Sequence, residues 1–232
     1  MLLSYNNSMR SKQLIIYHGS ISIVKEPKYG LGKPYNDYGL GFYCTQSKEL
    51  AKEWAVTDSQ SGYANQYSLD VSELKILDLS KTGNVLHWIT LLLKNRVFSL
   101  KSAIARSGKE YLIKHFSLPT EQYDVIKGYR ADDSYFSYAN GFLNNSISIR
   151  QLKEALKLGK LGEQIVLMSP KAFSKIKFLG YEEAESKIYY PLRKARNNQA
   201  REEYAKSVFN IKEDDLFLND IIKGVKSDDP RL

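Results

Sequence analysis

An α+β fold, with helices flanking the strands and a helical C-terminal extension, is what this sequence predicts, and three observations carry that reading. Short β-branched and aromatic runs are interleaved with stretches of helical period. With 232 residues, 43% of them hydrophobic and only 6 prolines, the chain is long enough to bury one sizeable core. From Glu182 onward charges dominate and apolar residues thin out. Residues 1–13 therefore read as a polar lead-in, 14–181 as the domain and 182–232 as a basic helical extension.

Taken in order, Leu14 to His18 is a strand stopped by Gly19 and Ser20, which delivers His18 to its end. A loop punctuated by Pro27, Gly30, Gly32 and Pro34 leads to Tyr38–Thr45, a glycine-flanked aromatic strand. Leu50, Ala51, Trp54 and Ala55 then share one helical face, with Thr45 or Ser47 as the N-cap. Strands are expected over Tyr63–Asp70 and Leu74–Leu79. Helical pattern covers 84–116, with a break near Ser99 or Gly108. Tyr123–Gly128 is a strand, Ala131–Asp133 a loop or helix entrance, and Ser148–Leu158 a helix. Gly162–Met168 reads as a central strand, followed by a Pro170-started helical turn and a last strand, Lys175–Leu179.

The formal charge of +8 favours a negatively charged partner: nucleic acid, phosphate or an acidic protein face. Seventeen tyrosines interleaved with lysine and arginine suit base stacking as well as core packing. The single cysteine, Cys44, excludes an intramolecular disulfide and a cysteine-rich zinc site. Met1–Gln13 holds no apolar stretch of signal-peptide length, and the longest apolar run, Val85–Leu93, is interrupted by His87. A soluble cytoplasmic protein without a membrane partner is expected.

The common catalytic templates fail. There is no Walker loop, Gly30-Leu31-Gly32 lacks the third glycine of a dinucleotide fingerprint, and no nucleophile elbow is visible. His87 and His115 have no acidic or cysteine neighbour at ligand spacing, and Asp132-Asp133 alone is too little to assign a metal. No metal is expected.

A different set of motifs occurs in order. These are Tyr17-His18-Gly19-Ser20, Gly41-Phe42-Tyr43-Cys44-Thr45, Trp54, and Glu163-Gln164-Ile165-Val166. Together they resemble the ADP-ribosyltransferase superfamily in its diphtheria-toxin-like and poly(ADP-ribose)-polymerase-like branch, whose signature is His, Tyr, Glu. The resemblance is closest to a bacterial family of unknown function within it, which Tyr123–Asp133 also resembles, and it spans roughly Leu14 to Leu179.

The resemblance implies a split β-sheet core and an NAD-dependent mono-ADP-ribosyltransferase with NAD as co-substrate. It implies that His18 holds the adenosine-side ribose and the Gly19 backbone the nicotinamide carboxamide, with Ser20 beside them among the cofactor-binding residues. Tyr43 would stack on the nicotinamide with Trp54, where most relatives have a second tyrosine, as its partner. Glu163 would stabilise the developing cation; its neighbour Gln164 points to the opposite face of the strand, so a shift of one residue exchanges the two. The acceptor would be a nucleic acid or an acidic protein. Such an activity against a core cellular component is toxic, which suggests a toxin or phage-defence effector restrained by an antitoxin or inhibitor protein. The alternative is an inactive module of the same fold that binds NAD, ADP-ribose or nucleic acid.

Overall fold

The computed structural model describes residues 12–81, 84–131, 133–158, 162–225 and 229–232. Residues 1–11 of the expected lead-in and Asp132 lie outside them. Seven strands form two sheets. The first has the order β1 (Gln13–Ser20), β3 (Gly62–Asp70), β7 (Ile176–Ala184), antiparallel throughout. The second has the order β2 (Phe42–Cys44), β6 (Glu163–Leu167), β5 (Val125–Tyr129), β4 (Ile76–Asp78), in which only β4 and β5 run parallel. One isolated bridge, Tyr17 with Thr45, joins the two sheets: their backbones exchange N–H···O bonds of 2.7 and 2.9 Å.

Eight α-helices are present among the described residues: α1 (Lys48–Ala55), α2 (Val85–Asn95), α3 (Ala103–Phe116), α4 (Asp133–Leu143), α5 (Ile149–Ala155), α6 (Pro170–Ser174), α7 (Ser186–Ser207) and α8 (Leu218–Ile222). The fold is thus α+β. Helix α1 starts where Ser47 Oγ accepts the Leu50 N–H, satisfying one of the orphan donors of its first turn. The helical region 84–116 divides at Arg96–Ser102, so the break includes Ser99; Gly108 lies inside α3, where a Cβ would fall 2.5 Å from Leu218 Cδ2.

The period-2 alternation divides the core between the faces of the second sheet. Ile126 and Val166 face the larger cluster, built on Trp88, Leu92, Phe142 and Leu152. Val125, Ile165 and Leu167 face the smaller one, with Ile16, Phe42 and Tyr67. Full burial of each such side chain contributes about 1.5–3 kcal/mol.

Several elements depart from expectation: β1 and β5 run through the expected stops at Gly19 and Gly128, and β4 and α5 are shorter than expected. The Tyr38–Thr45 strand is shorter: Tyr38 and Gly39 belong to a turn over Asn36–Gly39, closed by Gly39 N–H to Asn36 O at 3.0 Å with Gly39 at φ +81°, and the strand begins at Phe42. Helix α4 extends what was read only as a loop or helix entrance. Strand β7 continues past residue 181 to Ala184, so the expected domain boundary falls within a strand. The extension is integral to the fold, since Ala200, Leu216, Leu218 and Ile221 are buried in the larger core cluster.

Candidate functional site

The end of β1, the 36–43 turn and strand, α1, β6 and α7 enclose a cleft of about 760 Å³. His18, Gly19, Tyr43, Trp54 and Gln164 all line it. His18 Nδ1 lies 2.7 Å from the Tyr43 carbonyl oxygen, which can only accept. The proton is therefore on Nδ1, and Nε2 keeps a lone pair for a ligand hydroxyl or N–H. The ring lies 4.3 Å from Phe42, and burial pushes its pKa down, so the imidazole is neutral at neutral pH.

Gly19 is required by packing. A Cβ there would sit 2.0 Å from the Ala51 carbonyl oxygen and 2.9 Å from Ala55 N, so only glycine lets α1 lie directly against the strand. That approach brings Trp54 to the cleft. Ser20 does not line it: its Oγ donates to Ser22 O at 2.6 Å and accepts from Asn65 Nδ2 at 3.0 Å. Asn65 is fully buried, and its amide also reaches His18 O and accepts the Val24 N–H, fixing the chain after β1. The Ser20 hydroxyl is used to anchor this turn.

Tyr43 is held at both ends. Its hydroxyl donates to Gly39 O at 2.6 Å and accepts from Tyr38 N–H at 3.0 Å, while its own carbonyl holds His18. Burial pushes the phenol pKa up, so it stays protonated. Trp54 carries the Arg130 guanidinium 4.3 Å from its ring centroid, so this indole face stacks on a cation.

Strand β6 turns Glu163 and Gln164 to opposite faces. Glu163 pairs with Tyr129 across β5, and its carboxylate binds Lys127 Nζ at 2.8 Å on the face away from the cleft. Gln164, one residue on, is turned inward and is only 2% exposed. The register follows from Val166, which must enter the larger core cluster and so commits Gln164 to the same face. The amide Nε2 donates to Asp37 Oδ2 at 3.0 Å and to Tyr129 O at 3.2 Å. Both partners are acceptors, so the amide orientation is set, with Oε1 left as the accepting atom.

Asp37 is the residue the sequence did not disclose. Only 5% exposed, its carboxylate accepts from Gln164, from Ala131 N–H at 2.8 Å and from Arg96 at 3.0 Å. Burial raises its pKa, and these donors together with Arg130 pull it back. Lys28, Arg96, Arg130 and Arg193 also line the cleft, against the carboxylates Glu26 and Asp37. This balance favours an anionic ligand. Arg193 comes from α7, whose position is fixed by Arg196: its Nε and NH2 bind both Glu53 oxygens at 3.0 and 2.8 Å.

His87 and His115 have packing roles. His87 Nδ1 bonds Phe116 O at 2.9 Å, and the His115 ring lies 4.3 Å from Tyr111. Cys44 is buried, with its thiol pKa raised by desolvation, and so is no nucleophile at neutral pH. Among the described residues no cluster of three His, Cys, Asp or Glu could hold a metal, and no helix is long and apolar enough to cross a membrane.

A family model described as "Protein of unknown function (DUF3990)" matches residues 14–178. No curated protein and no solved structure matches the chain. The matched region holds every cleft residue named above except Arg193.

Proposed function

The chain belongs to the DUF3990 family, and from the geometry of its cleft we infer that it is a mono-ADP-ribosyltransferase that uses NAD and modifies a macromolecular acceptor. The observation that carries this reading is the convergence of His18, Gly19, Tyr43, Trp54 and Gln164, from four elements, on one cleft. Its volume, about 760 Å³, lies within the range of small-molecule sites, and its lining joins aromatic rings to cations as a dinucleotide requires.

NAD supplies the activated bond: cleavage between the nicotinamide nitrogen and the ribose carbon sends the electron pair to nicotinamide, while an acceptor oxygen or nitrogen bonds that carbon and releases its proton. The protein's residues provide binding and electrostatics. His18 Nε2 accepts from a ribose hydroxyl, and the Gly19 backbone meets the carboxamide. Tyr43 and Trp54 offer ring faces to the nicotinamide. In this reading the Gln164 Oε1 serves in the role that the resemblance gives to glutamate, and the Asp37 carboxylate polarises it through the 3.0 Å hydrogen bond to Nε2. Asp37 thus brings negative charge toward the position where a cationic, oxocarbenium-like transition state develops.

One observation favours a second reading. An amide in the glutamate's place suits a module that binds NAD or ADP-ribose without turnover. The two separate in one experiment: NAD titration followed by Trp54 fluorescence, with nicotinamide release measured in parallel. Release that is lost in His18→Ala supports the transferase, whereas saturable binding without release, with acceptors present, supports the module.

A further inference from the structure

A second basic groove, of about 410 Å³, adjoins the cleft and shares Arg193 with it. One wall is the turn after α1, at Thr57 and Asp58, and the other is α7. On the helix, Arg193, Asn197 and Arg201 recur every four residues, and Tyr190, Lys194 and Asn198 form the neighbouring row. At 1.5 Å per residue, the cations from Arg193 to Arg201 span about 12 Å.

The walls are fixed to one another. Ser186 Oγ donates to Thr57 O at 2.5 Å and to Asp58 O at 3.1 Å, and Arg193 donates to Val56 O at 3.3 Å. Lys194 and Arg201 are exposed and make no ion pair among the described residues. Lys194 Nζ sits 5.7 Å from the Tyr190 ring centroid. Cations in a row, an aromatic ring and the Asn198 amide are the parts needed to track a phosphodiester backbone and hold bases. A purely acidic peptide would engage the cations but leave the ring and that amide without a role.

We propose that this groove binds single-stranded nucleic acid and feeds it, past Arg193, to the cleft as the acceptor. The acceptor role rests on the transferase reading of the cleft; the binding does not. Three phosphates neutralised by Arg193, Lys194 and Arg201 give a slope of about −2 in the logarithm of affinity against the logarithm of salt concentration.

The test is fluorescence anisotropy of the full chain with labelled oligouridylate and oligothymidylate across a salt series. The Lys194→Glu/Arg201→Glu protein is compared with a Lys101→Glu/Lys114→Glu control of equal net charge; both control lysines are exposed on or beside α3. The groove variant is expected to bind roughly tenfold or more weakly and to lose about 1–2 from the salt slope, while the control stays near wild type. Equal weakening in both proteins, salt-insensitive binding, or complete displacement by polyglutamate but not by unlabelled oligonucleotide would overturn the assignment. Preference between the two oligonucleotides identifies RNA or DNA. His18→Ala should leave this binding unchanged, so absence of nicotinamide release with binding intact refutes the transferase reading and, with it, the acceptor role, but not the groove.

Discussion

Replacing Gln164 by alanine, beside Glu163→Ala, tests which face of β6 does the work. Gln164 is 2% exposed and gives its amide to Asp37 and Tyr129 O, so truncation removes a neutral side-chain donor to the Asp37 carboxylate. A lost hydrogen bond to a charged group costs about 1.5–3 kcal/mol of stability. Losing one preorganised polar group at the reacting centre costs about 10²–10³ in turnover. Glu163, by contrast, loses a partly exposed ion pair with Lys127, worth about 0–1 kcal/mol, and touches nothing in the cleft. Nicotinamide release per unit of folded protein, with Tm from thermal unfolding, is the assay. The expected result is a loss of about 10²-fold or more in Gln164→Ala and less than about threefold in Glu163→Ala. The reverse pattern would refute the inward assignment of Gln164. Gln164→Glu adds information, because a second carboxylate about 3 Å from Asp37 cannot ionise alongside it, and activity should then acquire a new pH dependence.

Other outcomes follow from the same geometry. Gly19→Ala forces its Cβ to within 2.0 Å of Ala51 O, which separates α1 from β1; calorimetry should show a loss of about 1–3 kcal/mol, with weakened NAD binding. Arg196→Ala leaves the Glu53 side chain, 4% exposed, without its charge partner, a cost of about 3–5 kcal/mol in urea unfolding, and Glu53→Met/Arg196→Met should regain most of it. Asp37 has a pKa raised above 3.8, so its protonation stabilises the fold fully below 3.8, and this increment is lost as pH rises through the raised value. Asp37→Asn should remove that slope from the unfolding free energy, and nicotinamide release in the wild-type protein should climb over the same interval as the carboxylate forms. For His18, whose pKa is lowered from 6.5, the sign is opposite: its contribution is complete above 6.5 and is lost as pH falls through the lowered value, a decline that His18→Gln should lack.

Strands were legible because a strand's period is local, whereas the expected stops at Gly19 and Gly128 lie inside β1 and β5, where pairing with a neighbouring strand carries the chain past a glycine. His18 lies near the end of β1, Ser47 caps α1 and the apolar body of β6 crosses the second sheet, all from residues within a few positions of each other. Helix α4 was hidden by its own composition. Tyr135, Tyr138, Asn140 and Gly141 are poor helix formers, and the helix forms because Tyr135, Tyr138 and Phe142 are buried at helical spacing. Gly141 is used where a Cβ would lie 2.6 Å from the Tyr204 hydroxyl of α7. The end of β7 was hidden by charge. Glu182 and Glu183 lie on an edge strand, where charged side chains are tolerated and deter further pairing. The site was legible where it lies on strand ends and opaque where tertiary contacts make it. Asp37 meets Ala131 and Gln164 only 94 and 127 residues along the chain, and nothing near it signals this. Arg193 is displayed among many other cations, and tertiary contacts such as the Glu53–Arg196 pair and the Ser186 bonds to Thr57 and Asp58 bring its helix to the cleft.

The bridge between Tyr17 and Thr45 gives the molecule a spine, with the two sheets as its leaves. His18 and Tyr43 stand next to that spine and to each other, so the width of the cleft at this end is set by backbone bonds and a 2.7 Å contact. At the open margin the rim is the Pro27–Gly32 segment, with Tyr29 and Leu31 exposed and Gly30 and Gly32 at positive φ. A pocket clamped at one end and open at the other discriminates unequally. It enforces a single pose on whatever group reaches the clamp and constrains less what lies at the margin.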